Sequence, residues 1–222
     1  MESLTFMEYE EYNLDELFSE VASMSLNIYR NKLLNAIVFF SKNTNYCNTT
    51  KLLKLLYHLD FIHFKQTGFP SIGLTYKTYA KGPVPVRFWK EIQRGNVPSD
   101  FKDKFEIVNK TGLHKPDEKE FYFKALTEPD VSIFTPREQE ILVELVNKYK
   151  NKYAKEICEE THLPRQPWHN TKVLSGYNKQ IDYLLSLDDE AKISQDKAKN
   201  NLNEFYAAVK HFNLRATKPA EV

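Results

Sequence analysis

Apolar residues recur every three to four positions through the first part of the chain. The spacing predicts an amphipathic helix over 14–28 and its continuation over 28–41. A second helix is predicted over 51–68, where leucine and aromatic residues surround the axis almost completely. That pattern is typical of a buried helix at the centre of a domain. We predict an N-cap at Thr49 or Thr50 and a C-terminal stop at Gly68.

The pattern then changes to alternation. Residues 72–80 predict a strand, and the two prolines of the 81–85 segment predict an extended turn that stops it. A short helix follows, with Val86, Trp89 and Ile92 expected to face inward. Further strands are predicted over 104–108 and 120–125, which indicates a hairpin with a long connection.

The second half predicts helices again. Thr135, Pro136 and Glu138 form a capping box at the start of one, another covers about 152–161, and 174–213 predicts two more, with Ser194 as a cap. The expected fold is therefore mostly α with a small antiparallel β-sheet, in the α+β class. A central buried helix is surrounded by helices, with the hairpin on one side.

Composition and charge limit the classes of protein to which this chain can belong. The chain has 222 residues and a net charge of +1, with 31 basic and 30 acidic residues. One domain with extensions fits this length, and the charge does not support DNA binding by the whole surface. Two cysteines 111 positions apart form no disulfide framework, and we expect a soluble, cytoplasmic protein without a membrane segment.

The first 29 residues contain seven carboxylates and no lysine or arginine. One interpretation is a helix that covers the domain's own core, and the other is a docking arm for a basic partner. The candidate contacts of such an arm are Asp15, Glu16, Phe18 and Glu20.

Two further groups of residues carry candidate chemistry. Tyr57, Asp60 and His63 share one side of the central helix, and we interpret them as an internal hydrogen-bond group rather than an acid–base site. Cys158 and His162 have the spacing of two metal ligands, but a site needs three or four, so we expect no metal and no cofactor. Motifs of phosphate loops, hydrolases and zinc proteases are absent, and we expect no enzyme.

The proline-containing turn combines a stiff backbone with nearby aromatic residues, which makes it a candidate binding surface. The alternative is a strand-to-helix connection whose Trp89 belongs to the core. The candidate interface residues here are Tyr79, Gly82, Pro83, Val84, Phe88, Trp89 and Trp168.

The order of these motifs resembles the Panacea domain family, also called SocA-like antitoxins. The resemblance runs over about 28–175 and rests on TKLLKLLYHLDFIHFKQTG, GLTYKTYAKGPVPVRFW and the later AKEI, TH and PW pattern. It divides the chain into an acidic arm at 1–27, the Panacea domain at 28–175, C-terminal helices at 176–213 and a frayed tail at 214–222.

The resemblance implies an antitoxin of a toxin–antitoxin system, often associated with prophages. Most family members neutralise a co-encoded protein toxin by binding it directly, and the toxins include translation-targeting, alarmone-synthetase-like enzymes. We therefore expect occlusion of a toxin active site in a hetero-oligomer. The alternatives are an adaptor that delivers the toxin to a ClpXP-type protease and a DNA-binding autoregulator of its operon.

Overall fold

The computed structural model describes the backbone of residues 14–111 and 119–216, and the side chains of 28–110 and 120–210. This part of the chain contains seven α-helices, four strands and several short 3₁₀ turns, which confirms the expected α+β class. The helices are α1 (Leu14–Asn43), α2 (Thr49–Thr67), α3 (Val86–Glu91), α4 (Pro136–Tyr149), α5 (Ala154–Thr161), α6 (Pro167–Ser175) and α7 (Gln195–Ala216). The strands are β1 (Tyr76–Tyr79), β2 (Gly82–Pro85), β3 (Phe105–Thr111) and β4 (Lys119–Ala125).

Helix α2 is the centre of the molecule, as its apolar pattern predicts. Twelve of its residues are buried, among them Leu52, Leu55, Leu56 and Leu59 at 0% exposure. The helix begins at Asn48, whose side chain accepts a hydrogen bond from the backbone N–H of Lys51. The prediction of Thr49 or Thr50 as the cap is therefore wrong by one or two positions, since both residues already lie inside the helix.

The C-terminal end of α2 is at Gly68, as predicted. Its φ of +77° is favourable for glycine, and its N–H donates to the carbonyl of Phe64. The capping box at Thr135 and Glu138 is also confirmed at the start of α4.

The prolines at 83 and 85 form a strand rather than the predicted turn. Strand β2 pairs antiparallel with β1, with Pro83 opposite Thr78 and Pro85 opposite Tyr76. Thr78 and Tyr76 direct their backbone groups to residues 178–181 on the other side of β1. The prolines therefore lie at positions where no donor toward β1 is needed, which is how an edge strand tolerates proline.

The second hairpin has strands close to the predicted ranges, 104–108 and 120–125. Strands β3 and β4 pair from Phe105 opposite Ala125 to Thr111 opposite Lys119. Phe105 and Phe123 are buried against the core, and the hydrogen bond from the Phe123 N–H to the Cys47 carbonyl ties β4 to the start of α2. In α3, however, the buried residue is Phe88 rather than Val86 or Trp89, which are half-buried.

Asp60 connects α2 to the segment that follows it. Its carboxylate accepts hydrogen bonds from the backbone N–H groups of Ile72, Gly73 and Leu74, at 2.6–3.1 Å. The hydroxyls of Tyr76 and Tyr183 lie 2.9 and 3.2 Å from the same carboxylate. Residues 72–74 therefore bind a side chain of the core helix, and the strand is shorter than the predicted 72–80.

The C-terminal region is part of the fold. Residues 174–213 contain one long helix, α7, rather than two, because 178–181 run extended beside β1. Ser194 lies at the start of α7 as predicted and accepts from the Lys197 N–H. Leu202 and Phe205 of α7 join Tyr183 in a second hydrophobic cluster against α2.

Helix α1 runs unbroken from the acidic segment into the core helix predicted over 28–41. Phe40, Ile37 and Ala36 are fully buried against α2. The first part of the predicted arm, residues 1–13, and the end of the predicted tail, 217–222, lie outside the described residues.

Loss of the Asp60 carboxylate should be costly because four donors, the N–H groups of residues 72–74 and the Tyr76 hydroxyl, would lose their acceptor. The Tyr183 hydroxyl would keep the Leu74 carbonyl, which it reaches at 2.6 Å. We expect Asp60→Ala to lower the free energy of unfolding by about 3–5 kcal/mol and Tyr183→Phe by about 1 kcal/mol. Urea denaturation followed by circular dichroism measures both values. The control is Asp189→Ala, because Asp189 is exposed and lies shortly after Tyr183 in the sequence. This substitution should change the free energy of unfolding by less than about 0.5 kcal/mol. An Asp60→Ala protein as stable as the control would contradict this arrangement.

Candidate functional site

An open trough crosses the surface between the start of α2, the β1–β2 hairpin, β4 and α5. It consists of two adjoining cavities of about 650 and 520 Å³. Five residues line both cavities: Asn48, Thr50, Ala80, Lys81 and Glu120. A concave surface formed by two cavities of this size is suited to a segment of another macromolecule.

One end of the trough is lined by aromatic rings. Tyr46 and Tyr153 stack with their centroids 4.5 Å apart and are 42% and 40% exposed. Tyr122 lines the same cavity, and burial together with the Glu120 carboxylate raises its pKa to about 12. We call Tyr46, Tyr122, Tyr153, Glu120 and Glu156 the tyrosine end.

A buried lysine of α2 positions the two loops that carry Tyr46 and Tyr153. The Lys51 ammonium group donates to the Asn45 carbonyl at 2.7 Å and to the Lys152 carbonyl at 2.6 Å. These acceptors directly precede the two tyrosines. Lys51 is 0% exposed, and burial lowers its pKa. One cation inside the protein thus fixes both halves of the tyrosine pair.

The opposite rim is the β1–β2 hairpin, and three helices hold it through its carbonyl groups. Lys54 of α2 donates to the Pro83 carbonyl at 2.7 Å, and Trp168 of α6 donates to the Tyr79 carbonyl at 3.2 Å. The Cys158 thiol of α5 donates to the Lys81 carbonyl at 3.3 Å. The rim is therefore held in place before any partner binds.

Gly82 allows this close approach. Its φ is +99°, and a Cβ atom there would lie 2.7 Å from Cε of Lys54 and 2.9 Å from Oγ1 of Thr161. Any side chain at this position would push the hairpin away from α2 and α5.

The candidate interface residues of the hairpin region divide into two groups. Tyr79, Val84 and Trp89 line the second cavity of the trough and are half-buried. Four others are buried behind that surface, so in this conformation they support the trough without facing a partner: Gly82, Pro83, Phe88 and Trp168.

Tyr57, Asp60 and His63 do not hydrogen-bond to one another in the described structure. Asp60 binds the groups given above, and Nδ1 of His63 pairs with the Phe69 carbonyl at 2.8 Å. Tyr57 packs its ring against Phe61, and burial raises its pKa. All three lie inside the protein, away from the trough.

Cys158 and His162 are neighbours on α5, but the His162 ring stacks on Trp168 at 3.9 Å. His169 pairs with the His162 carbonyl at 3.1 Å. Across the described residues, no three His, Cys, Asp or Glu side chains come together as a metal-binding group. Asp15, Glu16, Phe18 and Glu20 lie in the first turns of α1, and their side chains are outside the described set.

The tyrosine end was not predicted from the sequence. Tyr46 lies in the asparagine-rich connection after α1, Tyr153 just before α5 and Tyr122 in β4, so no sequence motif unites them. One signal was present: a lysine on a nearly all-apolar helix, Lys51, needs acceptors, and loops at the helix end are the natural source.

Comparison with known families identifies the chain. A family model described as "Antitoxin SocA-like, Panacea domain" matches residues 52–169, just over half of the chain. The chain belongs to this family of SocA-like antitoxins. The match begins inside α2, ends inside α6 and includes both hairpins.

Searches among curated proteins and among solved structures give no match. Membership of an antitoxin family indicates an antitoxin role with a toxin as partner. In the described part of the chain, every helix is too short or too polar to cross a membrane.

The buried amine of Lys54 gives the rim a measurable pH signature. Burial lowers the pKa of Lys54 from 10.5 to about 8, with a smaller opposing effect from Cys158. The folded state therefore favours the neutral amine. The folded protein is therefore most stable, as far as Lys54 is concerned, above pH 10.5, where the amine is neutral in both the folded and the unfolded state. This stability is lost as the pH falls through about 8, because the buried amine must then be protonated.

We expect the free energy of unfolding of the natural protein, relative to Lys54→Met, to rise by up to about 3 kcal/mol between pH 8 and pH 10.5. Urea titrations at several pH values measure it. Lys81→Met removes an exposed lysine of the same rim and should show no such trend. A pH-independent difference for Lys54→Met would show that the amine is not held in a buried site.

Proposed function

We propose that this protein is an antitoxin that neutralises a co-encoded protein toxin by binding it directly and covering its active site. The trough is the proposed contact surface. The observation that carries the proposal is the open, aromatic trough whose two rims are anchored to the core from behind. Family membership supports the choice of a toxin as the partner.

The composition of the trough suits a protein partner. Tyrosine and tryptophan contribute most to the binding energy of protein interfaces because they bury a large area and lose little conformational entropy. Tyr46, Tyr153 and Trp89 all lie along the trough. Two of them expose about two fifths of their surface in the free protein, so binding would bury apolar area that is now in water.

The anchoring of the two rims also supports binding of a partner. Side chains of α2, α5 and α6 hold the hairpin, and Lys51 holds the tyrosine loops. A surface that is already ordered loses little entropy on binding, which increases affinity. Gly82, Pro83, Phe88 and Trp168 serve binding in this indirect way, while Tyr79, Val84 and Trp89 extend the contact surface.

The test is co-expression with the toxin encoded by the adjacent gene. We expect the natural protein to restore growth and to co-purify with the toxin. Tyr46→Ala combined with Tyr153→Ala should weaken the complex by about 2–4 kcal/mol, the usual range for tyrosines that anchor an interface, and abolish rescue. Affinity is measured by calorimetry on purified proteins.

Tyr177→Ala is the matched control, because this tyrosine is 55% exposed and lies outside the trough. It should rescue growth fully. If the double variant folds and still binds the toxin with unchanged affinity, the trough is not the contact surface. A toxin that disappears from the cell in a ClpXP-dependent manner would favour the adaptor mechanism over occlusion.

We also propose that the acidic segment contributes to toxin binding, through Asp15, Glu16, Phe18 and Glu20. Its support is the concentration of seven carboxylates in residues 1–29 without a lysine or arginine, a charge distribution that attracts basic surfaces. A chain lacking residues 1–25 enters the same growth assay, and rescue equal to that of the full chain would reject this role.

A further inference from the structure

We propose that the tyrosine end of the trough receives an arginine side chain of the bound toxin. This inference rests on the proposed function, since it specifies the chemistry of the partner at the same site. It follows from three features of the tyrosine end: a stacked aromatic surface, two carboxylates beside it and a cation that the protein itself already places on one of its rings.

The aromatic surface is formed by Tyr46 and Tyr153. Their rings are inclined by only 24°, their centroids lie 4.5 Å apart, and both residues line the trough. The inner faces of a stacked pair cover each other, so a cation would stack on an outer face. The negative face of a tyrosine ring attracts cations, and a planar guanidinium group stacks on it especially well.

The two carboxylates each have an oxygen left for a partner. Oε2 of Glu120 accepts from the Tyr122 hydroxyl at 2.6 Å, and Oε2 of Glu156 accepts from the Tyr153 N–H at 2.8 Å. These hydrogen bonds fix both side chains at the tyrosine end. Among the described residues, no hydrogen bond reaches Oε1 of either carboxylate. A guanidinium group can donate to such an oxygen while its plane lies on a ring.

The protein already places one cation on a ring of the tyrosine end, that of Tyr122. The Lys110 ammonium group lies 5.3 Å from the centroid of the Tyr122 ring, on the strand opposite β4. The tyrosine end therefore accommodates a cation against an aromatic face in the free protein.

We next consider the remaining charged side chains of this cavity, because they act on an incoming cation together with the carboxylates of Glu120 and Glu156. Lys155 pairs with Glu159 at 3.9 Å on α5. Lys81 lies across the trough, on the hairpin rim. Glu120 and Glu156 line this cavity together with Tyr46 and Tyr153, and Glu120 lies opposite Lys110 in the β3–β4 pair. Arginine fits this combination better than lysine because one group can stack and form directed hydrogen bonds at once.

The experiment uses the full chain and does not need the toxin. The capped peptide acetyl-Gly-Arg-Gly-amide and its citrulline counterpart, which has the same shape without the charge, are titrated into protein with isotope-labelled tyrosine rings. We expect the arginine peptide to shift the NMR signals of Tyr46 and Tyr153 and to bind about fivefold more tightly than the citrulline peptide.

Replacing both carboxylates, Glu120→Gln with Glu156→Gln, keeps their size and acceptor oxygens and should abolish the preference for arginine. Tyr46→Leu is a second, independent variant and should also lower arginine binding. Glu204→Gln, an exposed position on α7, is the control and should leave binding unchanged. Equal binding of the two peptides, or no effect on the tyrosine signals, would overturn the inference.

The result separates this inference from the proposed function. If the peptides bind equally but the tyrosine variant loses toxin rescue, the trough binds the toxin without an arginine at this end. If the adjacent gene product is not neutralised at all while the arginine peptide binds as expected, the cation site exists and the antitoxin function fails.

Discussion

Charged side chains buried in a core helix must find hydrogen-bond partners inside the protein, and this requirement organises the whole molecule. Helix α2 buries Lys51, Lys54 and Asp60 among leucines. Lys51 binds the loops before α2 and before α5, Lys54 binds the β1–β2 hairpin, and Asp60 binds the segment before β1. An unpaired charge at any of these positions would cost several kcal/mol. The surface loops are therefore placed by the polar residues of the core.

This arrangement connects the fold to the proposed function. The same contacts that satisfy the α2 charges hold both rims of the trough, so the proposed contact surface is ordered in the free protein. The C-terminal region completes the structure beyond the matched family segment, because Tyr183 reaches Asp60 and Phe205 of α7 packs against Gly73. Residues 170–205 therefore belong to the folded unit that carries the trough.

The sequence predicted most of the helices and little of the site. Periodic apolar residues and local caps decide helices such as α2 and α4, and both are visible in sequence. The β2 strand was missed because the role of its prolines depends on the neighbouring chain at 178–181. The burial of Phe88 and Trp168 was not predicted because helical spacing shows which residues share a face, and tertiary packing decides which face is covered. The tyrosine pair joins loops over a hundred residues apart, and hydrogen bonds of Lys51 and Asn45 between these loops bring them together.

Hydrogen–deuterium exchange of the protein, alone and in complex with its toxin, tests the central claim most directly. The account predicts slower exchange in the complex at residues 44–50, 79–84, 120–123 and 150–162, which form the trough, and unchanged exchange in 195–210 of α7. Protection confined to α7, with the trough peptides exchanging as in the free protein, would contradict it.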